Sequence, residues 1–158
     1  ALVEYLGKKT GSRFYILVLL TGNKPEWSNK NSDRRVIDSA HLIDRNCYAG
    51  GLQTFSFHPT KNMTTGFGGI IALDDPIKAK WLRLARLHGC YKKEWVDGMG
   101  NESKRFGYQV NFCGWKMNMN DIQAALGLEQ LKRLDWMNKE RKRCVDEYNR
   151  HLQINRTG

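Results

Sequence analysis

The chain has 158 residues, 41% of them apolar, with 26 Lys and Arg against 16 Asp and Glu, for a formal net charge of +10. That length suits one domain with a core of its own, and the composition excludes a low-complexity or disordered chain. The longest apolar run, Phe14 to Leu20, is too short to cross a bilayer, and the surplus of positive charge predicts attraction to anions such as nucleotides, phosphorylated cofactors or nucleic acid. Cys47, Cys90, Cys113 and Cys144 are widely spread and form neither a C-x-x-C pair nor a Cys/His zinc spacing. No metal is expected, and reduced thiols point to the cytoplasm.

In chain order, Leu2, Val3, Tyr5 and Leu6 suit a short helix, ended by Gly7 or Gly11. Phe14 to Leu20 reads as a fully buried strand. Thr21 to Asp33 is rich in Asn, Ser, Gly and Pro and reads as a long loop. Val36-Ile37-Asp38-Ser39-Ala40-His41 then reads as a short strand that delivers an aspartate and, three residues on, a histidine. Open α/β sheets place ligand-binding groups at the carboxyl ends of their strands. Taken singly, Asp38 reads first as a turn cap and His41 as a packed side chain.

Leu52 to Phe57 is the next strand, with the apolar-polar alternation of a half-buried one. It breaks at Pro59 into a polar turn that presents one lysine, Lys61, and Gly66, Gly68 and Gly69 lead into a further strand, Ile70 to Leu73. A lysine held on a stiff turn and partly out of water is disfavoured as an ammonium, and the neutral amine is the form that attacks an aldehyde. The plain alternative is a surface lysine in a strand connection. Asp74-Asp75-Pro76 starts a helix, with Ile77, Lys80, Trp81, Leu84 and Leu87 at helical spacing and Gly89 as its end. Residues 90 to 110 look irregular.

Asn120 or Asp121 caps the longest helical pattern. Ile122, Ala125, Leu128, Leu131 and Leu134 form an apolar stripe that Cys144, Val145, Tyr148 and Leu152 continue. The helix is expected to run to about residue 152, the length of one that joins domains or lines a subunit contact.

Asp38 with His41, Ser56 with Lys61, and the polar Gly114–Asn120 turn suit one ligand together. Pyridoxal phosphate requires an amine for its aldehyde, a carboxylate for its ring nitrogen, a partner for its ring hydroxyl and donors for its phosphate. Ser56 and the backbone N–H groups of the turn are apt phosphate donors.

The blocks FSFHPTKNMTTG and NDIQAALGLEQL, with Val36–His41, resemble the sugar aminotransferases of the DegT/DnrJ/EryC1/StrS family. The resemblance covers roughly residues 36 to 152 and leaves 1 to 35 poorly matched. It implies an α/β fold: part of the large domain of the type I pyridoxal-phosphate transferases, a mixed, mostly parallel sheet flanked by helices with a long C-terminal helix. It makes residues 1–152 a partial cofactor-binding domain and 153–158 a tail leading toward a small domain that is absent. On this reading the chain is a fragment lacking full activity, and its parent transfers an amino group, typically from L-glutamate, to a keto group of a nucleotide-linked sugar.

The family's roles carry over to matching positions. Lys61 falls on the lysine that forms the Schiff base and moves the proton. Asp38 falls on the ring-nitrogen carboxylate, His41 on the partner of the ring hydroxyl, Ala40 against the ring face and Ser56 on the phosphate. The Gly114–Asn120 turn matches a loop that reaches the phosphate of the neighbouring subunit, which implies a homodimer. Lys116 stands there where asparagine is common and acts as a point charge. Phe67 replaces a common glutamate. Two other readings compete: a non-catalytic homologue of the same fold, and a basic nucleic-acid-binding module suggested by charge and the Lys139–Arg143 cluster, without a recognised motif.

Overall fold

The computed structural model describes residues 15–22, 35–96 and 102–152. The proposed helix near Leu2 to Leu6, most of the Thr21–Asp33 loop and the 153–158 tail lie outside these. The chain divides into two units, Ala1–Leu73 with Asn120–Gly158, and Asp74–Met119.

The first unit is built on a sheet of four strands in the order β1-β2-β3-β4: β1 Tyr15–Val18, β2 Arg35–Asp38, β3 Leu52–Ser56 and β4 Gly69–Ala72. The first two pairings are parallel and β3 pairs β4 antiparallel. The sheet is therefore mixed and mostly parallel. The register aligns Leu17, Ile37 and Gln53, with Ala72 opposite Gln53. Because side chains alternate along a strand, these four share one face. There Leu17, Leu19 and Ile37 are buried, with Leu42 and Ala49 packed against them. The next row, Val18, Asp38, Thr54 and Ile71, belongs to the other face.

The Phe14–Leu20 run is not a fully buried strand. β1 is at the edge of the described sheet and only its Leu17 is buried, while Ile16 is 70% exposed and Val18 52%.

Helix α2, Asp121–Leu152, belongs to the same unit and has the expected extent. Asn120 caps it: its Oδ1 accepts from Gln123 N at 2.8 Å and Gln123 Oε1 accepts from Asn120 N at 3.2 Å, a reciprocal capping box. The expected apolar stripe is not its inner face. Of Ile122, Ala125, Leu128, Leu131 and Leu134, only Leu134 is buried. Its sheltered positions include Gln123, Gly127, Gln130, Leu134 and Asn138, three or four residues apart and so on one side. They are mostly polar.

In the second unit, Asp75 Oδ1 accepts from Ile77 N at 2.9 Å and Lys78 N at 3.1 Å and caps helix α1, Pro76–Ala85. The helix ends at Ala85, ahead of Gly89. The chain then turns through His88 and Gly89, both at positive φ, and Gly89 N donates to Leu84 O at 3.0 Å. The described residues between 90 and 110 are not irregular: β5, Cys90–Val96, and β6, Glu102–Val110, pair antiparallel, with a register shift between Lys93 and Trp95. Charged residues crowd both strands and hide the alternation that marks a strand. The segment after β6 runs back along the end of α1, where Trp115 N donates to Ala85 O at 2.7 Å and Met117 N to Arg86 O at 2.8 Å. A Cβ on Gly89 would stand 2.0 Å from Phe112 O, so only glycine admits this crossing.

Candidate active site

Asp38 ends β2 and Ser56 ends β3, and the two strands are parallel neighbours. Asp38 sits opposite Thr54 in register, and Ser56 is two residues farther along. Parity places Asp38, Thr54 and Ser56 on one face, at the carboxyl edge of the parallel strands. Asp38 is half-buried, and its Oδ1 accepts from Ala40 N at 2.9 Å. That bond turns the chain sharply after the strand.

His41 is exposed at the end of this turn. Its Nδ1 accepts from Thr21 N at 3.2 Å, which puts the proton of the neutral ring on Nε2. Thr21 makes the bond from a left-handed backbone, φ 56°, a conformation that non-glycine residues adopt at a cost.

The connection from β3 to β4 carries Lys61. His58 through Lys61 form a β-turn with Pro59 at its second position, closed by Lys61 N donating to His58 O at 3.0 Å. Ser56 Oγ accepts from His58 N at 3.3 Å, so the hydroxyl proton stays available to an anion. The base of the loop is fastened by Phe57 N to Gly68 O at 2.9 Å and Thr65 N to Phe57 O at 3.1 Å. Lys61 is half-buried. Gly69 pairs with Ser56. A Cβ there would be 2.5 Å from Phe55 O, so a glycine is needed beside the serine.

The sheltered side of α2 grips this loop. Thr64 N donates to Gln130 Oε1 at 3.4 Å, Gln123 Nε2 to Phe67 O at 3.1 Å and Asn62 Nδ2 to Asn138 Oδ1 at 3.2 Å. These three helix residues carry no catalytic signature in the sequence. Gln53 was also missed. It is fully buried under the turns: its Oε1 accepts from Ala49 N at 2.8 Å, and its Nε2 donates to Ser39 Oγ at 2.7 Å and Cys47 O at 3.1 Å. An isolated glutamine in an alternating strand gives no signal of this role.

Lys116 lies in the second unit, bridged to Leu87. Within the Lys139–Arg143 cluster, Lys142 pairs with Asp146 and Arg143 with Glu140 on the same helix, which weakens the nucleic-acid reading. Among the described residues no group of His, Cys, Asp or Glu could hold a metal, and no helix is long and apolar enough to cross a membrane. All four cysteines are free.

The donor set fits pyridoxal phosphate: one half-buried amine, one carboxylate, an imidazole with its proton on Nε2 and a hydroxyl free to donate. A mixed, mostly parallel sheet with these groups at its carboxyl edge and a long closing helix defines the fold class of the pyridoxal-phosphate-dependent aminotransferases. The chain belongs to the DegT/DnrJ/EryC1/StrS aminotransferase family, whose model matches residues 39–157. It is 45% identical over 104 residues to the spore coat polysaccharide biosynthesis protein SpsC of Bacillus subtilis, which covers 66% of this chain and 26% of that protein.

Among solved structures it resembles Helicobacter pylori PseC, an aminotransferase involved in the biosynthesis of pseudoaminic acid, with a TM-score of 0.72 and 27% identity over 89% of this chain and 38% of that one. The PMP-form of Spr1654, a sugar aminotransferase from Streptococcus pneumoniae, matches with a TM-score of 0.70 and 27% identity over 87% of this chain and 42% of that one. The chain thus spans about a quarter of the length of the curated relatives it matches.

Proposed function

We propose that the protein to which this chain belongs is a pyridoxal-phosphate-dependent aminotransferase that moves an amino group from an amino acid, L-glutamate by family resemblance, to a keto group of a nucleotide-linked sugar. The observation that carries the reading is the common face of Asp38 and Ser56 at the edge from which the Lys61 turn departs. Family membership supports it independently.

The cofactor, when bound, supplies an aldehyde carbon for amine exchange and a protonated ring that draws electron density from the reacting carbon. The chain's own groups do the rest. Lys61 Nζ would hold the cofactor at its aldehyde carbon, and the same amine would move the proton at the reacting carbon. The Asp38 carboxylate holds the proton on the ring nitrogen. His41 Nε2 donates to the ring hydroxyl, Ala40 lies against the ring face, and Ser56 Oγ donates to the phosphate. Lys116 contributes a positive charge to the phosphate of a neighbouring subunit, which makes the working unit a homodimer. The net charge of +10 favours a substrate with a diphosphate. Free thiols favour the cytoplasm, and the residues present here are expected to lack full activity alone.

The test is absorption of the complete protein after loading with pyridoxal phosphate. A visible band that borohydride bleaches, leaving the cofactor fixed to Lys61, is expected. Lys61→Ala should abolish both the band and glutamate-dependent amination of keto-sugar nucleotides. A band of equal strength in Lys61→Ala would refute the assignment.

A further inference from the structure

We propose that Asn138 is a positioning residue: its side-chain amide ties the segment after β2, which follows directly on Asp38 and carries His41, to the loop after β3, which carries Lys61. The inference rests on the reading above for its catalytic meaning, but the tie itself is geometric.

One end of the amide faces the lysine loop. Asn138 Oδ1 accepts from Asn62 Nδ2 at 3.2 Å, and Asn62 is the chain neighbour of Lys61. The other end faces the aspartate segment. Asn138 Nδ2 donates to Ile43 O at 3.1 Å and lies 3.5 Å from Asp44 Oδ1. Arg141 Nη1, from the next turn of α2, also donates to the Asn138 oxygen, at 3.2 Å, and steadies it. Both segments have other fastenings to α2. Arg45 Nε donates to Asp135 Oδ2 at 2.6 Å, while Gln130 and Gln123 hold Thr64 and Phe67. Each of those reaches one segment only. Among the described residues, the side chain of Asn138 alone is bonded to both.

The chemistry of the junction selects asparagine. A donor and an acceptor are needed on one flat group of fixed reach. Aspartate keeps the acceptor for Asn62 but loses the donor for Ile43 and sets a carboxylate beside Asp44. Leucine or alanine loses both. Catalysis between two groups on separate loops depends on their spacing, and small displacements there are costly in rate. An amide that spans the loops is therefore a means of holding the amine and the carboxylate at a set separation.

The test uses hydrogen exchange in the complete, cofactor-free protein, followed by kinetics after loading. Asn138→Ala should raise exchange about three- to tenfold in peptides covering 41–46 and 60–65, the effect of losing one or two hydrogen bonds, and leave β2 and β3 protected. Asn138→Asp should loosen 41–46 and spare 60–65. Asn62→Ala should do the reverse. After loading, Asn138→Ala should lower kcat about tenfold with KM nearly unchanged, and adding Asn62→Ala should cost little more. Uniform loosening that includes the strands, or no change in either segment, overturns the proposal. The exchange result needs no cofactor, so it stands or falls separately from the Lys61 assignment, which the Lys61→Ala spectrum decides.

Discussion

The Nε2 of Gln53 donates to the hydroxyl of Ser39 at 2.7 Å, so the fully buried side chain of β3 is bonded to the residue that follows Asp38. The same amide also satisfies Ala49 N and Cys47 O. Gln53→Leu fills a similar space but leaves buried donors and acceptors without partners. A loss of about 2–4 kcal/mol is expected, since each stranded buried group costs on the order of 1–3 kcal/mol. Urea denaturation of the complete protein measures it. A change below about 0.5 kcal/mol, the range of an ordinary surface substitution, would mean that the network is inessential.

A Cβ on Gly127 would stand 2.9 Å from Cγ2 of Thr65. Alanine gains about 1 kcal/mol over glycine in a helix interior, while overpacking costs about 1–3 kcal/mol. Gly127→Ala should therefore be neutral or destabilising with Thr65 present. Thr65→Ser removes the methyl group and keeps the hydroxyl that donates to Phe67 O at 2.6 Å. In that background Gly127→Ala should become stabilising by about 1 kcal/mol. A double-mutant cycle by thermal denaturation reads the sign change, and additivity would disprove the contact.

The carboxyl of Asp75 is held below its ordinary value of 3.8, first by the backbone N–H of Lys78, then by the Lys78 side chain and the N–H of Ile77. A depressed folded value means that the ionised cap stabilises α1 above the ordinary value, and the contribution is lost as pH falls through the lower folded value. Asp75→Asn keeps an acceptor without the charge. The stability gap between wild type and Asp75→Asn should be constant near neutrality and close as pH drops below 3.8. Denaturant titrations at stepped pH would show it. A gap unchanged at low pH would leave the charge without a role.

The legible parts of the sequence were those where one residue type does one local job. Asp75-Pro76 marks a helix start by itself, and Pro59 with Lys61 marks a turn between alternating runs. The strand ending at Asp38 was readable from Val36 and Ile37. The pairing of β5 with β6 was not, because Lys92, Lys93, Glu94, Lys104 and Arg105 swamp the period. Asn138 and Gln130 were invisible for a different reason. Long-range hydrogen bonding leaves no periodic trace, and a polar residue on a helix has the same signature whether it faces water or a loop. The stripe through Ile122 and Leu128 misled because it is the more hydrophobic side of α2, yet in the described residues it is exposed.

The polar inner side of α2 has a consequence for how the chain can vary in length. An oily seam tolerates slippage, since one methyl group replaces another with little loss. Amides at Gln123, Gln130 and Asn138 act instead like the teeth of a key. One residue inserted between the first and the last would rotate the far part of the helix by about 100° and pull at least one tooth from its slot. Length changes are expected to be tolerated beyond these teeth and rejected between them.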